Sequence, residues 1–143
     1  MHRIGTYIVG MLISCTALCS GICFGEELAL PLEGKITALA MGSRGNMAVA
    51  TSDGNIGVVN PGNTYVRVAT GVEANCIVVT PRGEIYAGSA KAGRLVRITL
   101  HGDVQTVRTD VQGIRGIEAD RDGNLYIVSG QHPGSINKVI PNQ

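Results

Sequence analysis

Three side chains that could bind a ligand occupy one repeated position of the sequence. Each lies eight residues before a glycine, and together they are Thr37, Asn75 and Arg115. The oxygens of a Thr or Asn side chain can accept hydrogen bonds or coordinate a cation, whereas a guanidinium has only N–H donors and repels a divalent metal. Arg115 could instead receive a carboxylate or phosphate, or it could pair with Glu118 or Asp120 on a solvated edge. The set therefore predicts a ligand-binding position with no metal and no catalytic residue.

A turn followed by a short apolar strand sets the spacing of these three residues. Three copies occur at residues 42–52, 80–90 and 120–130, of which the last reads Asp-Arg-Asp-Gly-Asn-Leu-Tyr-Ile-Val-Ser-Gly. Their turn glycines, Gly45, Gly83 and Gly123, are 38 and 40 residues apart. A repeat near 40 residues with β-type patterning is typical of a β-propeller.

The rest of the chain also consists of short apolar runs separated by Gly, Pro, Asn and Asp, and no window keeps a helical period. We therefore predict an all-β fold of four-stranded antiparallel blades, amounting to three blades in all. The repeat domain covers residues 26–143, with units at about 36–71, 72–110 and 111–143. The predicted strands are 28–32, 36–41, 47–51, 56–59, 64–69, 75–79, 85–89, 95–100, 104–108, 114–119, 125–129 and 136–140.

The third unit carries the residues by which a family is recognised. Residues 120–128, Asp-Arg-Asp-Gly-Asn-Leu-Tyr-Ile-Val, and residues 134–139, Gly-Ser-Ile-Asn-Lys-Val, resemble an NHL-type repeat. The same pattern is shared by the SMP-30/gluconolactonase-like and virginiamycin-B-lyase-like six-bladed propellers. The resemblance covers most of residues 28–143. It implies a propeller scaffold that many functions use.

The resemblance also implies where a metal would bind. SMP-30-like lactonases place a metal-binding Asn or Asp, followed by Gly, at about the position of Asn75 and Arg115. Asn75 keeps the residue type but is followed by Cys76, and Arg115 is followed by Gly116 but carries the wrong charge. The Glu of that family has no counterpart here. We therefore predict no metal and no cofactor.

A virginiamycin-B-lyase-like activity would need a histidine and an acid close together in the central channel. His101 falls in a predicted turn and His132 in a predicted loop, where solvent-exposed histidines are common. Cys76 lies in an apolar run and is predicted to be a buried core residue. No catalytic residue is predicted from these three.

The strand count is offset from whole blades, because one run precedes two units of four and three runs follow. Residues 28–32 could be the outer strand that closes a blade begun by the last three runs. Three outcomes stay open: two chains closing head to tail into a six-bladed ring, a shortened descendant or fragment of a longer propeller, or a compact three-unit sheet assembly.

Residues 1–25 form a separate segment with the pattern of a secretory signal peptide. Arg3 precedes a mostly apolar stretch, and Cys23-Phe24-Gly25 offers small residues for cleavage before Glu26. Two alternatives stay open. Leu-Ile-Ser-Cys at residues 12–15 resembles a lipobox that would lipidate Cys15, and the uncharged run is long enough to remain as a membrane anchor. We therefore expect an exported protein, secreted or periplasmic, or else a membrane-anchored lipoprotein.

Charge and composition limit the partners. The net charge of +1 and an aromatic content of 3% offer neither the basic field nor the stacking surfaces of a nucleic-acid-binding protein, and they favour membrane contact only through the N-terminal segment. Two hypotheses remain. One is an exported, non-enzymatic propeller module that binds a protein partner or small ligand on its face. The other is a lactonase- or lyase-type enzyme assembled from two chains and using Asn75 and Arg115, or a truncated inactive relative of one.

Overall fold

A computed structural model of the protein describes residues 25–130 and 135–141, and this part of the chain is all-β. Its strands are β1 Ile36–Met41, β2 Met47–Thr51, β3 Ile56–Val59, β4 Tyr65–Ala69, β5 Cys76–Val79, β6 Ile85–Ser89, β7 Arg94–Ile98, β8 Val104–Arg108, β9 Gly116–Ala119, β10 Leu125–Ser129 and β11 Ser135–Val139. Each matches a predicted run, with ends that differ by at most two residues. No helix in the described residues is long and apolar enough to cross a membrane.

The strands form three antiparallel sheets in which sequence neighbours pair. Blade 1 is β1-β2-β3-β4, blade 2 is β5-β6-β7-β8, and blade 3 is β9-β10-β11. The first strands are innermost, since β5 lies against β1 on one side and against β9 on the other. This arrangement confirms the prediction of propeller-type blades amounting to three repeat units.

The turn between the first two strands of each blade explains the repeated glycine. Gly45, Gly83 and Gly123 have φ of 77°, 85° and 86°, values that a residue with a Cβ adopts only under strain. Each glycine donates its N–H to the carbonyl three residues earlier, at 3.1, 2.8 and 3.1 Å. A type I turn followed by a left-handed residue is a usual hairpin connection, so these glycines set the register of the first two strands.

The hydrophobic core lies between the blades. Alternate residues of a strand point to opposite faces of its sheet, so each blade has a leading face toward the next blade and a trailing face toward the previous one. The leading face of blade 1 packs on the trailing face of blade 2, where Ile56 meets Ile77 and Val79. The leading face of blade 2 packs on the trailing face of blade 3, where Leu95 meets Ile117. Each interface is one layer of interdigitated aliphatic side chains.

The predicted strand at residues 28–32 is absent from the single chain. These residues have no regular secondary structure, and within them the N–H of Leu32 donates to the carbonyl of Leu30 at 2.8 Å. The physical reason is that a strand needs a neighbouring edge. The β1–β4 sheet beside residues 28–32 already has its four strands, and Pro31 and Leu32 line a cleft with Tyr65 and Arg67 on its trailing face.

Candidate functional site

Two of the three predicted site residues hold adjacent blades together. Thr37 Oγ1 donates a hydrogen bond to the carbonyl of Ala74 at 2.7 Å, and Asn75 Nδ2 donates to the carbonyl of Ile114 at 2.8 Å. Ala74 directly precedes Asn75, and Ile114 directly precedes Arg115. Each bond therefore joins one repeat position to the residue before the same position in the next blade. We call residues 37, 75 and 115 the latch positions.

The amide of Asn75 is engaged at both ends. Its Oδ1 accepts a hydrogen bond from the backbone N–H of Ala90 at 2.6 Å, while its Nδ2 holds Ile114. The oxygen that a metal would need thus already accepts one hydrogen bond, which orders the turn after β6. Buried or partly buried polar groups with two backbone partners are typically structural.

Thr37 and Asn75 share a cleft of about 290 Å³ between blades 1 and 2, and Arg115 is not part of it. The charged groups at this cleft are Glu73 and Lys91, whose Oε2 and Nζ atoms lie 2.9 Å apart. Both side chains are mostly exposed, so this pair contributes little binding energy or stability. The structure thus brings two predicted residues together, in a cleft whose charges already neutralise each other.

Arg115 is exposed at the open side of blade 3. Its backbone N–H donates to the carbonyl of Val128 at 2.8 Å. Among the residues that the structure describes, its guanidinium makes no ion pair, so the predicted pairing with Glu118 or Asp120 is not formed. Asp120 instead accepts from the Nδ2 of Asn124 at 2.8 Å.

A second cleft, which the sequence interpretation did not identify, lies between blades 2 and 3 around Tyr86 and Arg97. Tyr86 is completely buried, yet its hydroxyl has no hydrogen-bond partner within residues 25–130 and 135–141. The Nε of Arg97 is also buried without a partner in that part of the chain. Most buried polar groups in proteins are paired, so two unpaired donors beside one cleft call for an explanation.

Comparison of the repeats shows why the Tyr86 hydroxyl is unpaired. Its counterpart Tyr126 donates its hydroxyl hydrogen to Asp120 Oδ2 at 3.3 Å. In blade 2 the position of Asp120 is occupied by Thr80, whose Oγ1 accepts the N–H of Glu84 at 3.2 Å. Blade 2 therefore lacks the acceptor that its own repeat pattern would supply.

The cleft has a volume of about 290 Å³ and a mixed lining of Tyr86, Arg97, Gln105, Thr106, Val107, Val139, Ile140 and Pro141. Arg97 is held by Glu84, with Nη2 and Oε1 2.5 Å apart, while its Nε makes no hydrogen bond within the described residues. Burial, and then the negative charge of Glu84, raise the pKa of Tyr86 above its ordinary value, so its hydroxyl remains a donor at neutral pH. The cleft offers two donors beside the polar Gln105 and Thr106 and the apolar Val107, Val139 and Ile140.

The sequence carried a signal for this site that the interpretation did not use. The ring of Tyr86 packs in the core between blades 2 and 3, whereas its counterpart Tyr126 is half-buried and lies outside that core. The informative difference lies in their neighbours, Thr80 against Asp120 and Arg97 against Lys138, whose Nζ lies 5.5 Å from the centre of the Tyr126 ring. Where one repeat has a different polar residue from the others, something other than core packing determines that residue.

The remaining reactive side chains do not form a site. Cys76 is buried, as predicted, and burial raises the pKa of its thiol to about 11, so it is protonated at neutral pH. His101 is exposed in a turn, as predicted, while His132 lies outside the described residues. Within the described ranges no three His, Cys, Asp or Glu side chains are grouped closely enough to hold a metal.

Comparison with known proteins identifies the fold. No family model and no curated protein matches the chain. Among solved structures, virginiamycin B lyase from Staphylococcus aureus aligns with a TM-score of 0.57 at 16% identity, over 79% of this chain and 44% of the lyase. A structural-genomics protein proposed to be a gluconolactonase aligns with a TM-score of 0.63 at 14% identity, over 81% of this chain and 49% of that one.

A third structure, of a Bacteroides thetaiotaomicron protein of unknown function, aligns with a TM-score of 0.60 at 19% identity. It covers 75% of this chain and 33% of that protein. The chain thus spans less than half the length of each of these structures. At this identity the likeness establishes the fold, that of a β-propeller, and leaves activity to be argued from the residues of the site.

Proposed function

We propose that the chain is an exported, non-enzymatic propeller module that binds a small organic acid in the cleft around Tyr86 and Arg97. The observation that carries this proposal is the pair of buried donors, the Tyr86 hydroxyl and the Arg97 Nε, which have no partner among the described residues. A bound carboxylate or carbonyl oxygen would supply the missing acceptor. Leaving such groups unpaired costs about 1–3 kcal/mol each, so an acceptor gains that energy on binding.

The size and charge of the cleft restrict the ligand. A volume of about 290 Å³ is at the lower end of ligand pockets and suits a compact molecule. Glu84 neutralises part of the Arg97 charge, so the cleft favours a single carboxylate over a dianion such as a phosphate monoester. Val107, Val139 and Ile140 suit a short apolar or aromatic group next to that carboxylate.

A binding role fits the latch positions better than a catalytic role. The side chains of Thr37 and Asn75 donate hydrogen bonds to the neighbouring blade. Arg115 places a cation where a metal enzyme needs a side chain that can bind the metal. The lactonase- or lyase-type alternative would require these residues to serve a reaction. The export part of the proposal rests on the sequence pattern of residues 1–25, all but the last of which lie outside the described residues.

The binding proposal predicts a specific response to simple acids. When benzoate or butyrate is titrated into the ¹⁵N-labelled 143-residue chain, we expect saturable chemical-shift changes around Tyr86 and Arg97, with a Kd of about 1 mM or tighter. Arg97→Met should weaken binding about tenfold or more because a charge-assisted hydrogen bond is lost, and Tyr86→Phe should weaken it about fivefold.

The matched control is Arg94→Met, since Arg94 lies on the same strand as Arg97 but outside the cleft. This variant should bind benzoate as the parent chain does. Absence of shifts up to about 10 mM acid, or equal binding by the parent and Arg97→Met, would show that the cleft holds water only and would overturn the proposal.

A metal titration separates the binding role from the metalloenzyme. Calorimetry of the full chain with Ca²⁺, Zn²⁺ or Mn²⁺ should give no saturable heat, because Asn75 Oδ1 is occupied by the Ala90 N–H. Tight binding of any of these ions that is abolished by Asn75→Ala would favour the enzyme instead. Asn60→Ala, an exposed turn residue on blade 1, serves as the control.

A further inference from the structure

We propose that two copies of this chain close head to tail, the leading face of blade 3 in one copy packing on the trailing face of blade 1 in the other. The first evidence is a repeat position on the leading face. Ile56 and Leu95 are both 0% exposed between blades, whereas their counterpart Ile136 in blade 3 is 74% exposed. Val128 beside it is exposed as well. Blade 3 thus presents to solvent an apolar surface that the other blades bury.

The trailing face of blade 1 shows the complementary pattern. In blade 2, Ile77 and Val79 are 6% and 8% exposed, while their counterparts Leu39 and Met41 in blade 1 are 58% and 61% exposed. Contiguous exposed apolar side chains on a soluble domain mark an interaction surface. Val49 and Val59 on the same face are 0% and 3% exposed, so the open part of the trailing face is its inner strand β1. This part and the leading face of blade 3 are the two halves of the one kind of interface that this chain builds.

The hydrogen bonds of the latch positions also indicate that a second copy of the chain packs against blade 3. Thr37 bonds to Ala74, and Asn75 bonds to Ile114, each reaching the next blade. Arg115 occupies the third latch position, and the equivalent acceptor is the carbonyl before the latch position of a following blade. In a second copy of the chain that carbonyl belongs to Ile36, which precedes Thr37. In the proposed dimer the Arg115 guanidinium donates a hydrogen bond to this carbonyl, as the side chains of Thr37 and Asn75 do to the next blade within one chain.

Residues 28–32 supply a further element. Blades 1 and 2 each have a fourth, outer strand. In blade 1 this strand, β4, ends six residues before the next latch position, and in blade 2 the corresponding strand, β8, ends seven residues before it. In blade 3 the described residues form three strands. Leu32 lies five residues before Thr37, so residues 28–32 hold the repeat place of an outer strand that precedes blade 1. In a second copy the open edge of β11 lies where such a strand would pair, which removes an unpaired sheet edge.

A second copy is the occupant that these observations favour over an unrelated protein. One chain carries both complementary faces, the unmatched latch donor and the unmatched outer strand, so two copies satisfy all of them through two identical contacts. The solved lyase and the gluconolactonase candidate, of which this chain covers 44% and 49%, each have about the length of two copies of its repeat domain, residues 26–143. This inference does not rest on the ligand proposed for the Tyr86 cleft, although Val139 at the end of β11 also lines that cleft.

The test is the mass of the full chain, purified as its host processes it, in density-matched detergent if the N-terminal segment is retained. Sedimentation equilibrium should give twice the mass of the single chain. Leu39→Asp and Ile136→Asp should each weaken association about 30-fold or more, because a carboxylate would be buried in an apolar contact. Both sites are exposed in the single chain, so the far-ultraviolet circular dichroism spectrum should not change.

Two controls make the test specific. Leu100→Asp alters an equally exposed leucine in a turn of blade 2, away from both open faces, and should leave the dimer intact. Arg115→Ala should weaken association about tenfold, whereas Arg121→Ala, in a turn of blade 3, should not. A strict monomer at about micromolar concentration, an assembly larger than two, or a dimer insensitive to both aspartate variants would overturn the proposal.

Discussion

Leu95→Ala is expected to lower the free energy of unfolding by about 2–5 kcal/mol, which is a large share of the stability of a small domain. Leu95 is completely buried on the leading face of blade 2, where it packs with Ile114 and Ile117 of blade 3. Removing its isobutyl group leaves a cavity between two sheets. Because each sheet is held in place by its own turns, the two sheets can fill this cavity only partly. Blade 3 should therefore lose most of its attachment to blade 2.

The repeat offers a matched control for this prediction. Ile136→Ala changes the same repeat position in blade 3, where the side chain is mostly exposed, and should cost less than about 0.5 kcal/mol in the dissociated chain. Chemical denaturation at several protein concentrations would separate unfolding from subunit association. Equal losses for the two variants would contradict the assignment of the blade 2–blade 3 interface.

Gly88→Val is expected to destabilise the chain by about 1–3 kcal/mol by overpacking the same interface. A Cβ atom at Gly88 would lie 2.6 Å from Ile114 Cδ1, 2.7 Å from Cys76 Sγ and 3.2 Å from Ile117 Cδ1. The first two contacts are closer than carbon and sulfur atoms tolerate and the third is tight, and two of the three come from blade 3. The inner strands β5 and β9 would have to separate.

Gly116→Val is the control, because a Cβ there meets nothing within 4 Å and the backbone is not in the left-handed region. In the dissociated chain we expect it to be neutral or slightly stabilising, since valine suits a strand better than glycine does. Thermal unfolding of both variants measures the difference. A stable Gly88→Val protein would mean that blades 2 and 3 are spaced more widely than in the structure.

Val128 shows that the neighbouring blade, and not the strand itself, excludes a larger side chain at position 88. It occupies the equivalent position in β10, where a valine is accommodated because the leading face of blade 3 is open. The proposed dimer must accommodate this larger side chain against blade 1 of the second copy. Ala38 and Ala40 of that blade point the other way, into the core with blade 2, so the contact on blade 1 is made by Leu39 and Met41.

The strands and turns of this protein could be predicted from its sequence because local physics determines them. Alternating apolar residues specify strands, and the glycines at 45, 83 and 123 supply the positive φ that the hairpins require. Eleven predicted runs became strands in the described residues. The exception, residues 28–32, failed for a non-local reason, since a strand forms only where another edge is available to pair with it.

The roles of the site residues depended on the tertiary structure. The repeat located Thr37, Asn75 and Arg115, but the carbonyls that Thr37 and Asn75 bind lie 37 and 39 residues further along the chain, on the next blade. No local pattern reveals such a partner. The same holds for the Tyr86 hydroxyl, whose lack of a partner is a property of the space between two sheets.

The sequence by itself thus determined that the chain forms propeller blades, how many repeats it has and which positions are equivalent. The tertiary structure decided which equivalent positions are buried and which are open. Leu95 and Ile136 have the same repeat position and opposite exposure, because only the first has a blade packed against it. Hydrophobic burial depends on what lies opposite a side chain, and a repeat pattern specifies the side chain alone.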